Sequence, residues 1–188
     1  VFGNNDTPGV MLSSAAKEYM KVYGVLVGKK PLIFTNNDSG YETAIEFKKN
    51  GVNPIILDTR SNPSSDIITE AKNLNIEIKF SYVVVAAKGY KKVKSADIAK
   101  ISDDKKELFN IENIECDCIC VSGFWTPSIH LASQSGNKSK FNEKIDAFVP
   151  DKSKQKENTI GSANGIFTLE ETIKAVSYTH LTLPTKNE

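Results

Sequence analysis

The sequence predicts an α/β fold, and three observations support that prediction. Residues 31–34 and 53–57 are short apolar runs, as expected of buried parallel strands. Between them, residues 41–50 have the apolar spacing of a helix, and Gly51 follows as a stop. Asp58 ends the second run. Strand, turn, helix, strand and acid is the order of a mononucleotide-binding half of a Rossmann-like domain.

The turn of this unit, residues 35–40 (TNNDSG), lacks the glycines that let a backbone approach a pyrophosphate. It has one glycine, and Asp38 places a carboxylate at the helix N-terminus, where a phosphate would bind. Asp58 would bind a ribose hydroxyl only if the turn held a pyrophosphate; otherwise it is an acid at the end of a strand. The unit therefore has the shape of a dinucleotide site, and its turn argues against binding one.

Composition is that of a soluble globular protein, with 25% charged residues among 188. The net charge of +1 gives no drive toward nucleic acid or an anionic membrane. No apolar run approaches the ~20 residues that span a bilayer, and we expect no signal peptide. Three cysteines within five residues indicate a reducing, cytoplasmic setting. Because Val1 is not a start methionine, we expect the chain to be a piece of a longer protein.

Around this unit the pattern predicts further helices and an antiparallel meander. A helix is expected over 11–23, with one apolar face formed by Leu12, Ala15, Ala16, Tyr19 and Tyr23. A second is expected over 67–74, capped by Ser65 or Asp66. Three β-like runs follow, at 76–80, 82–87 and 93–101, and their spacing favours an antiparallel meander. One more edge strand is expected at 108–111, and 115–123 is a strand that ends in a glycine turn.

The last third is less regular. Residues 124–134 are irregular to helical, 135–140 form a loop, and 148–150 are extended. A helix is expected from Thr168 or Leu169 to about residue 175, and Glu171 three residues after Thr168 forms a capping-box pattern. Residues 177–188 are predicted to be disordered or foreign to the protein, because Pro184 would block a helix.

Chemistry-bearing residues are few. Cys116, Cys118 and Cys120 would share one face of a strand with ~6.5–7 Å between neighbours, which disfavours a shared zinc or a disulfide and favours buried apolar roles. His130 has no serine–acid companion at a recognisable spacing, and His180 lies in the tail. We predict no catalytic residue and no metal ligand in this chain.

Two further clusters have a functional and a structural interpretation. Residues 161–165 (GSANG) precede a helix, and their small side chains and N–H groups suit an anionic group; a tight turn explains them equally well. The lysines form a basic cluster around a turn, which usually is a solvated edge that resists aggregation; they are Lys88, Lys91, Lys92 and Lys94.

Five stretches together resemble the α subunit of heterotetrameric sarcosine oxidase. They are 2–12 (FGNNDTPGVML), 33–41 (IFTNNDSGY), 116–122 (CDCICVS), 122–135 (SGFWTPSIHLASQS) and 160–169 (IGSANGIFTL). The resemblance runs from about residue 1 to 175. It also makes the missing glycines of the 35–40 turn a trait of that family.

The resemblance implies a module of two dinucleotide-binding domains, with a folate-binding region beyond this chain. The complex converts sarcosine, tetrahydrofolate and O2 to glycine, 5,10-methylenetetrahydrofolate and H2O2. FAD and FMN belong mainly to the β subunit, γ and δ subunits complete the assembly, and the α subunit binds NAD without a redox role. A related dye-linked proline or opine dehydrogenase, and a ligand-free interaction module, remain alternatives.

By the same resemblance, residues 1–30 and 124–176 would belong to the first FAD/NAD(P)-binding-type domain, and 31–123 to the second, Rossmann-like domain with its meander. The loop before the last helix of the first domain would contact NAD. Its residues are Gly161, Ser162, Ala163, Asn164, Gly165, Phe167 and Thr168.

Overall fold

The computed structural model describes residues 2–102, 104–145, 147–155 and 157–181, with side chains of the last helix described as far as Ser177. The chain forms two compact units, divided between Phe124 and Trp125. Within the described residues, no helix combines the length and the apolar character that crossing a membrane requires.

Unit 1 alternates strands and helices and then forms a run of strands. In chain order its elements are β1 (Val10–Leu12), α1 (Ser13–Tyr23), β2 (Pro31–Thr35), α2 (Ser39–Lys49), β3 (Ile55–Asp58), α3 (Asp66–Asn73), β4 (Glu77–Phe80), β5 (Tyr82–Lys88), β6 (Ser95–Ile101), β7 (Leu108–Glu115) and β8 (Cys118–Ser122). The predicted β-α-β unit, the helix after Ser65 and the strand at 108–111 are confirmed.

A five-stranded parallel sheet organises unit 1, in the order β1-β8-β2-β3-β4. Alternate residues of its strands enter two separate cores, because side chains alternate across a strand. Ile33 and Ile56 pack in the core with the helices, whereas Leu32 and Leu57 pack in the core with the meander. A sheet covered on both faces explains why the strands are continuously apolar.

The meander differs from the prediction in one strand. It consists of β5-β6-β7, paired antiparallel, whereas residues 77–80 form β4, which pairs in parallel with β3. The helix α3 carries the chain across the sheet before β4, and such a crossover returns a strand in parallel orientation. The prediction that 76–80 belongs to the meander is therefore wrong.

The first thirty residues also differ from the prediction. Residues 10–12 form β1, which pairs in parallel with β8, so the helix begins at Ser13 and not at residue 11. Since β1 and α1 pack with the same sheet as β2, the compact unit includes residues that the sequence analysis assigned to a different domain from 31–123. The face of α1 buried in this unit consists of Ser13, Ala16 and Met20. Of the predicted apolar face, Tyr19 and Tyr23 are exposed.

Unit 2 is built from short elements: α4 (His130–Gln134), β9 (Ser139–Asn142), β10 (Ala147–Pro150), a 3₁₀ turn (Gly161–Asn164) and α5 (Leu169–Leu181). The strands β9 and β10 pair as an antiparallel hairpin. The predicted helix start at Thr168 is confirmed: the Glu171 N–H donates to Thr168 Oγ1 (3.4 Å), which is one of the two bonds of a capping box. The Glu171 carboxylate accepts from the Thr168 hydroxyl (2.7 Å).

The last helix extends past the predicted end. α5 continues to Leu181, so a disordered tail from residue 177 does not describe residues 177–181. The alternative that the tail is foreign sequence stays a prediction. These five residues contain neither glycine nor proline, and the helix-blocking Pro184 comes later. Residues 182–188 lie outside the described part of the chain.

Candidate functional site

The first candidate site lies at the carboxyl end of β2. From β2 the chain runs outward through β3 and β4, and β8 then returns to the other side of β2. The strand order therefore reverses between β2 and β8. In open α/β sheets, ligands bind in the crevice outside the carboxyl ends of the strands at such a point. The turn after β2 and the end of β8 form this crevice.

The Asn37 side chain closes the crevice. Its Nδ2 donates to the carbonyl oxygen of Gly123 and lies 3.5 Å from that of Ser122. Its Oδ1 accepts hydrogen bonds from the N–H (3.0 Å) and the hydroxyl (2.6 Å) of Ser39, and the Ser39 and Ser122 hydroxyl oxygens are 2.6 Å apart. Protein groups thus join the two strand ends where a dinucleotide would otherwise approach the backbone.

The spacing of Thr35, Asn37 and Gly40 is that of the three glycines in a dinucleotide fingerprint. Only the third is glycine, and it has the packing role of that position. A Cβ on Gly40 would lie 2.6 Å from the Thr35 Cβ, so the close approach of α2 to β2 requires glycine there. The two positions that would admit a pyrophosphate carry side chains.

Asp58 stands where a dinucleotide-binding domain has its ribose-binding acid, and in this structure it pairs with Arg60. The Asp58 carboxylate is fully buried and accepts hydrogen bonds from the Tyr41 hydroxyl (2.7 Å) and from Arg60 Nη2 (2.8 Å) and Nε (3.1 and 3.2 Å). Arg60 Nη2 also donates to Asp38 (2.8 Å). Burial and the hydrogen bond to Asp58 raise the pKa of the Tyr41 hydroxyl. Asp58 is therefore a structural acid, as the alternative interpretation of the sequence had it.

Asp38 and Asp58 were predicted from the sequence as residues near a ligand position, whereas the roles of Arg60 and Asn37 were not predicted. Arg60 is the sole arginine of the chain, and its position two residues after a strand-end acid was the available signal. Asn37 stands at the second glycine position of the fingerprint, which was also visible. Its partners at the end of β8 and just after it were not visible, because they lie 85 and 86 residues away in sequence.

The cysteines do not form a row on one face. Cys118 and Cys120 lie in the core with the helices, with their sulfurs 3.5 Å apart, whereas Cys116 lies in the core with the meander. Cys116 precedes β8 and is separated from Cys118 by Asp117. The Asp117 carboxylate accepts a hydrogen bond from the Lys30 N–H (2.8 Å), and at this point the regular alternation of side chains along the strand is broken. All three are free and buried, and burial raises the pKa of the Cys116 thiol to about 12.

The second candidate site is the 161–168 loop of unit 2. Gly161 and Gly165 have positive φ angles of 64° and 79°. The Gly165 N–H donates to the Ser162 carbonyl (3.2 Å), and the Ile166 N–H donates to the Gly161 carbonyl (3.0 Å). A Cβ on Gly165 would lie 2.4 Å from Ile145 Cδ1, so packing also requires glycine there.

The loop fits a dinucleotide in one respect and not in another. Ser162 is exposed, and Asn164 lines a polar cleft of about 440 Å³ together with Lys140 and Lys152. By contrast, the first turn of α5 carries Glu170 and Glu171, whose carboxylates would repel a phosphate at that helix end. The small residues of the 3₁₀ turn would therefore admit an anionic group, whereas the acidic side chains disfavour one beside the first turn of α5.

The remaining titratable candidates give no further site. His130 is exposed on α4. Within the part of the chain that the structure describes, no group of three or more His, Cys, Asp or Glu side chains is placed to hold a metal ion.

Solved structures with a similar fold include several reductases and a dehydrogenase. A 2-naphthoyl-CoA reductase matches 98% of this chain and 25% of its own, with a TM-score of 0.66 and 14% identity. Thioredoxin reductase of T. acidophilum matches 82% of this chain and 51% of its own (TM-score 0.55, 15% identity). L-proline dehydrogenase of P. horikoshii matches 86% and 27% (TM-score 0.51, 21% identity). At these identities the likeness concerns the fold, and the predicted α/β class is confirmed.

Curated relatives are more specific. The chain is 31% identical over 169 residues to sarcosine oxidase subunit alpha of Corynebacterium sp. (strain P-1), a match that covers 89% of this chain and 17% of that protein. The subunit of the same name from Rhizobium meliloti (strain 1021) is 33% identical over 150 residues, covering 79% and 14%. The predicted resemblance to the sarcosine oxidase α subunit is confirmed. The chain spans about one sixth of the length of these relatives, and no family model matches it.

Proposed function

We propose that this chain is a segment of the α subunit of a heterotetrameric sarcosine oxidase, which supplies scaffold and part of a non-redox NAD site. The observation that carries the scaffold role is the closed crevice: Asn37 bridges to Ser122 and Gly123, and Arg60 neutralises Asp58. Because its own side chains fill the ligand position, this Rossmann-like domain would have a structural role and would not bind a dinucleotide. The catalytic groups would lie elsewhere in the complex.

The whole reaction belongs to the complete assembly. Sarcosine, tetrahydrofolate and O2 would give glycine, 5,10-methylenetetrahydrofolate and H2O2 in a cytoplasmic complex with β, γ and δ subunits. FAD and FMN would lie mainly on the β subunit, and tetrahydrofolate would bind a domain of the α subunit outside this segment. The similarity to curated α subunits over 89% of the chain supports this assignment.

Unit 2 would be part of a larger domain. Among its described residues few apolar side chains are buried, namely Pro127, Ala132, Ala147, Val149 and Pro150, and such a core is too small to stabilise a domain by itself. Large apolar side chains are exposed on the same unit; they are Trp125, Leu131, Phe141, Phe148, Phe167, Leu169 and Ile173. This imbalance supports the assignment of 124–176 to a nucleotide-binding domain that further polypeptide completes.

The NAD contact would come from the loop at 161–168, through Gly161, Ser162, Ala163, Asn164, Gly165, Phe167 and Thr168. Backbone N–H groups of the 3₁₀ turn would bind an anionic part of NAD, since the small side chains let it approach. Phe167 packs against Trp125 with ring centroids 6.4 Å apart, which would hold the loop in place. NAD bound there would have no redox role.

Isothermal titration of NAD against the full-length subunit tests this site. Ser162→Asp adds a carboxylate at an exposed position of the loop, so we expect NAD affinity to fall at least tenfold, about 1.4 kcal/mol. Ser139→Asp makes the same change at an exposed position of β9 and should leave affinity unchanged. Equal affinity of both variants and the wild type would overturn the assignment. The isolated 188-residue chain should not bind NAD with submicromolar affinity, because half the site is absent.

Two alternatives are kept. An α-type subunit of a dye-linked proline or opine dehydrogenase has support from the fold likeness to L-proline dehydrogenase. An aminomethyltransferase-like stretch downstream in the gene would favour sarcosine oxidase over it. A ligand-free interaction module has support from the closed crevice, and the absence of NAD binding by the full-length subunit would favour it.

A further inference from the structure

The outer face of α1 carries an apolar surface that unit 1 does not use. We define this surface as Leu12, Tyr19, Val22, Tyr23, Val25 and Leu26, which are between 41% and 67% exposed. Leu12, Tyr19, Val22 and Tyr23 lie on one side of the helix, about a quarter turn from the buried Ser13, Ala16 and Met20. Several large apolar side chains exposed on one side of a helix are typical of an interaction surface.

The two lysine side chains of α1 face α2 and lie away from this surface, whereas Glu18 lies at its edge. Lys17 forms an ion pair with Glu42, and Lys21 forms one with Glu46 at 3.5 Å, both on α2. A helix that only covers its own sheet turns its charged residues to water and its apolar stripe inward. In α1 two lysines pair with the neighbouring helix, and the aromatic stripe faces outward. This arrangement is expected of a helix packed between two layers.

The same edge of the molecule has a place for another element. Tyr19 and Tyr23 lie in ring contact (centroids 5.9 Å apart) beside a shallow depression of about 340 Å³, which Ala15 and Glu18 also line. The preceding strand β1 is an outer strand of the parallel sheet. Apolar ridges with a groove between them are the surface into which an apolar helix packs.

We propose that the α1 outer surface packs against an apolar surface supplied by the same polypeptide, outside this 188-residue segment. The occupant follows from length: this chain spans 17% of the Corynebacterium α subunit, so about five sixths of such a subunit lie outside the matched segment. Polypeptide joined to this segment reaches the surface at a high effective concentration, which a separate subunit does not. The inference rests on the proposed function only in that the chain is part of a longer subunit.

Cysteine accessibility in the full-length subunit tests the proposal. In Val22→Cys, a maleimide should label the new thiol at least tenfold more slowly than the thiol of Lys92→Cys, which is on the exposed β5–β6 turn. Rates are measured per peptide by mass spectrometry, on the subunit alone at two concentrations and in the complete complex. Cys116, Cys118 and Cys120 are buried and should stay unlabelled, which verifies folding in each sample. If Val22→Cys fails that check, Tyr23→Cys on the same surface replaces it.

The outcomes separate the occupants. Slow labelling in the subunit alone at both concentrations supports the proposal. Protection only in the complex would assign the surface to another subunit, protection only at high concentration would assign it to a second copy, and fast labelling throughout would leave it free; each overturns the proposal. NAD titration of the same samples tests the proposed function independently, so its failure with a protected Val22→Cys would leave this inference standing.

Discussion

The ion pair between Arg60 and Asp58 gives the sharpest test of the closed dinucleotide position. Replacement Arg60→Met keeps most of the apolar volume and removes the guanidinium. Asp58 then retains the Tyr41 hydroxyl and the backbone N–H of residue 60 (2.9 Å), but its buried charge has no cation. We expect the chain to lose stability through this uncompensated carboxylate.

The magnitude follows from burial. Removing one partner of a fully buried ion pair costs about 3–5 kcal/mol. Asp58 is fully buried, but the Arg60 side chain is 32% exposed, so water can reach the vacated position. We therefore expect a loss of about 2–3 kcal/mol in the free energy of unfolding. Arg60→Lys should fall in between, since an ammonium group cannot reproduce the forked hydrogen bonds.

Urea unfolding of the wild type and variants measures this loss. Lys79→Met is the matched control, because Lys79 pairs with a Glu112 that is 43% exposed; it should cost no more than about 1 kcal/mol. The double variant with Asp58→Asn and Arg60→Met should recover at least half of the loss, since no buried charge remains. An Arg60→Met variant as stable as Lys79→Met, or a double variant with no recovery, would refute the reasoning.

Three further predictions concern packing and pH. Gly40→Ala forces α2 away from β2 and should lower the free energy of unfolding, measured in urea, by about 1–3 kcal/mol. Gly123→Ala, where a Cβ meets no atom within 4 Å, should leave it unchanged, and equal effects of the two variants would contradict the packing role. Because the pKa of Tyr41 is raised above 10.0, only the unfolded state loses the phenol proton just above pH 10. The free energy of unfolding should therefore fall there by up to about 1.4 kcal/mol per pH unit. Tyr41→Phe should flatten this slope in unfolding measured from pH 9 to 11. Hydrogen bonds, chiefly from the Ser135 hydroxyl, lower the pKa of Glu157 below 4.5. Its stabilising contribution is therefore present above pH 4.5 and is lost as pH falls through the folded-state pKa. The thermal unfolding temperature should fall less between pH 6 and pH 3 in Glu157→Gln than in the wild type.

Local patterns predicted the elements that depend on neighbours in sequence. The run 31–58 was predicted as strand, helix and strand from its apolar spacing, and Thr168 with Glu171 was predicted as a helix start. Sequence reasoning failed where partners are distant. It placed 76–80 in the meander, because a short apolar run does not reveal whether its neighbour is parallel or antiparallel.

The face of α1 shows the same limit. Spacing identified an apolar stripe that includes Tyr19 and Tyr23, but it did not say what covers that stripe. In the structure Ser13, Ala16 and Met20 pack in unit 1, and the aromatic residues do not. A period of 3.6 residues reports that a helix has an apolar side, whereas the choice of the packed side depends on the layers around the helix.

By itself, the sequence determined that this protein has a dinucleotide-type β-α-β unit without the glycines for a pyrophosphate. Those features are visible within one continuous stretch of 28 residues, 31–58, as apolar spacing and turn composition. Only the tertiary structure decided how the ligand position is filled. Pairing of β8 with β2 brings the end of a distant strand to Asn37, and the fold of the chain after β3 brings Arg60 between Asp58 and Asp38. Contacts between residues far apart in sequence leave no local pattern, because they depend on which strands become neighbours.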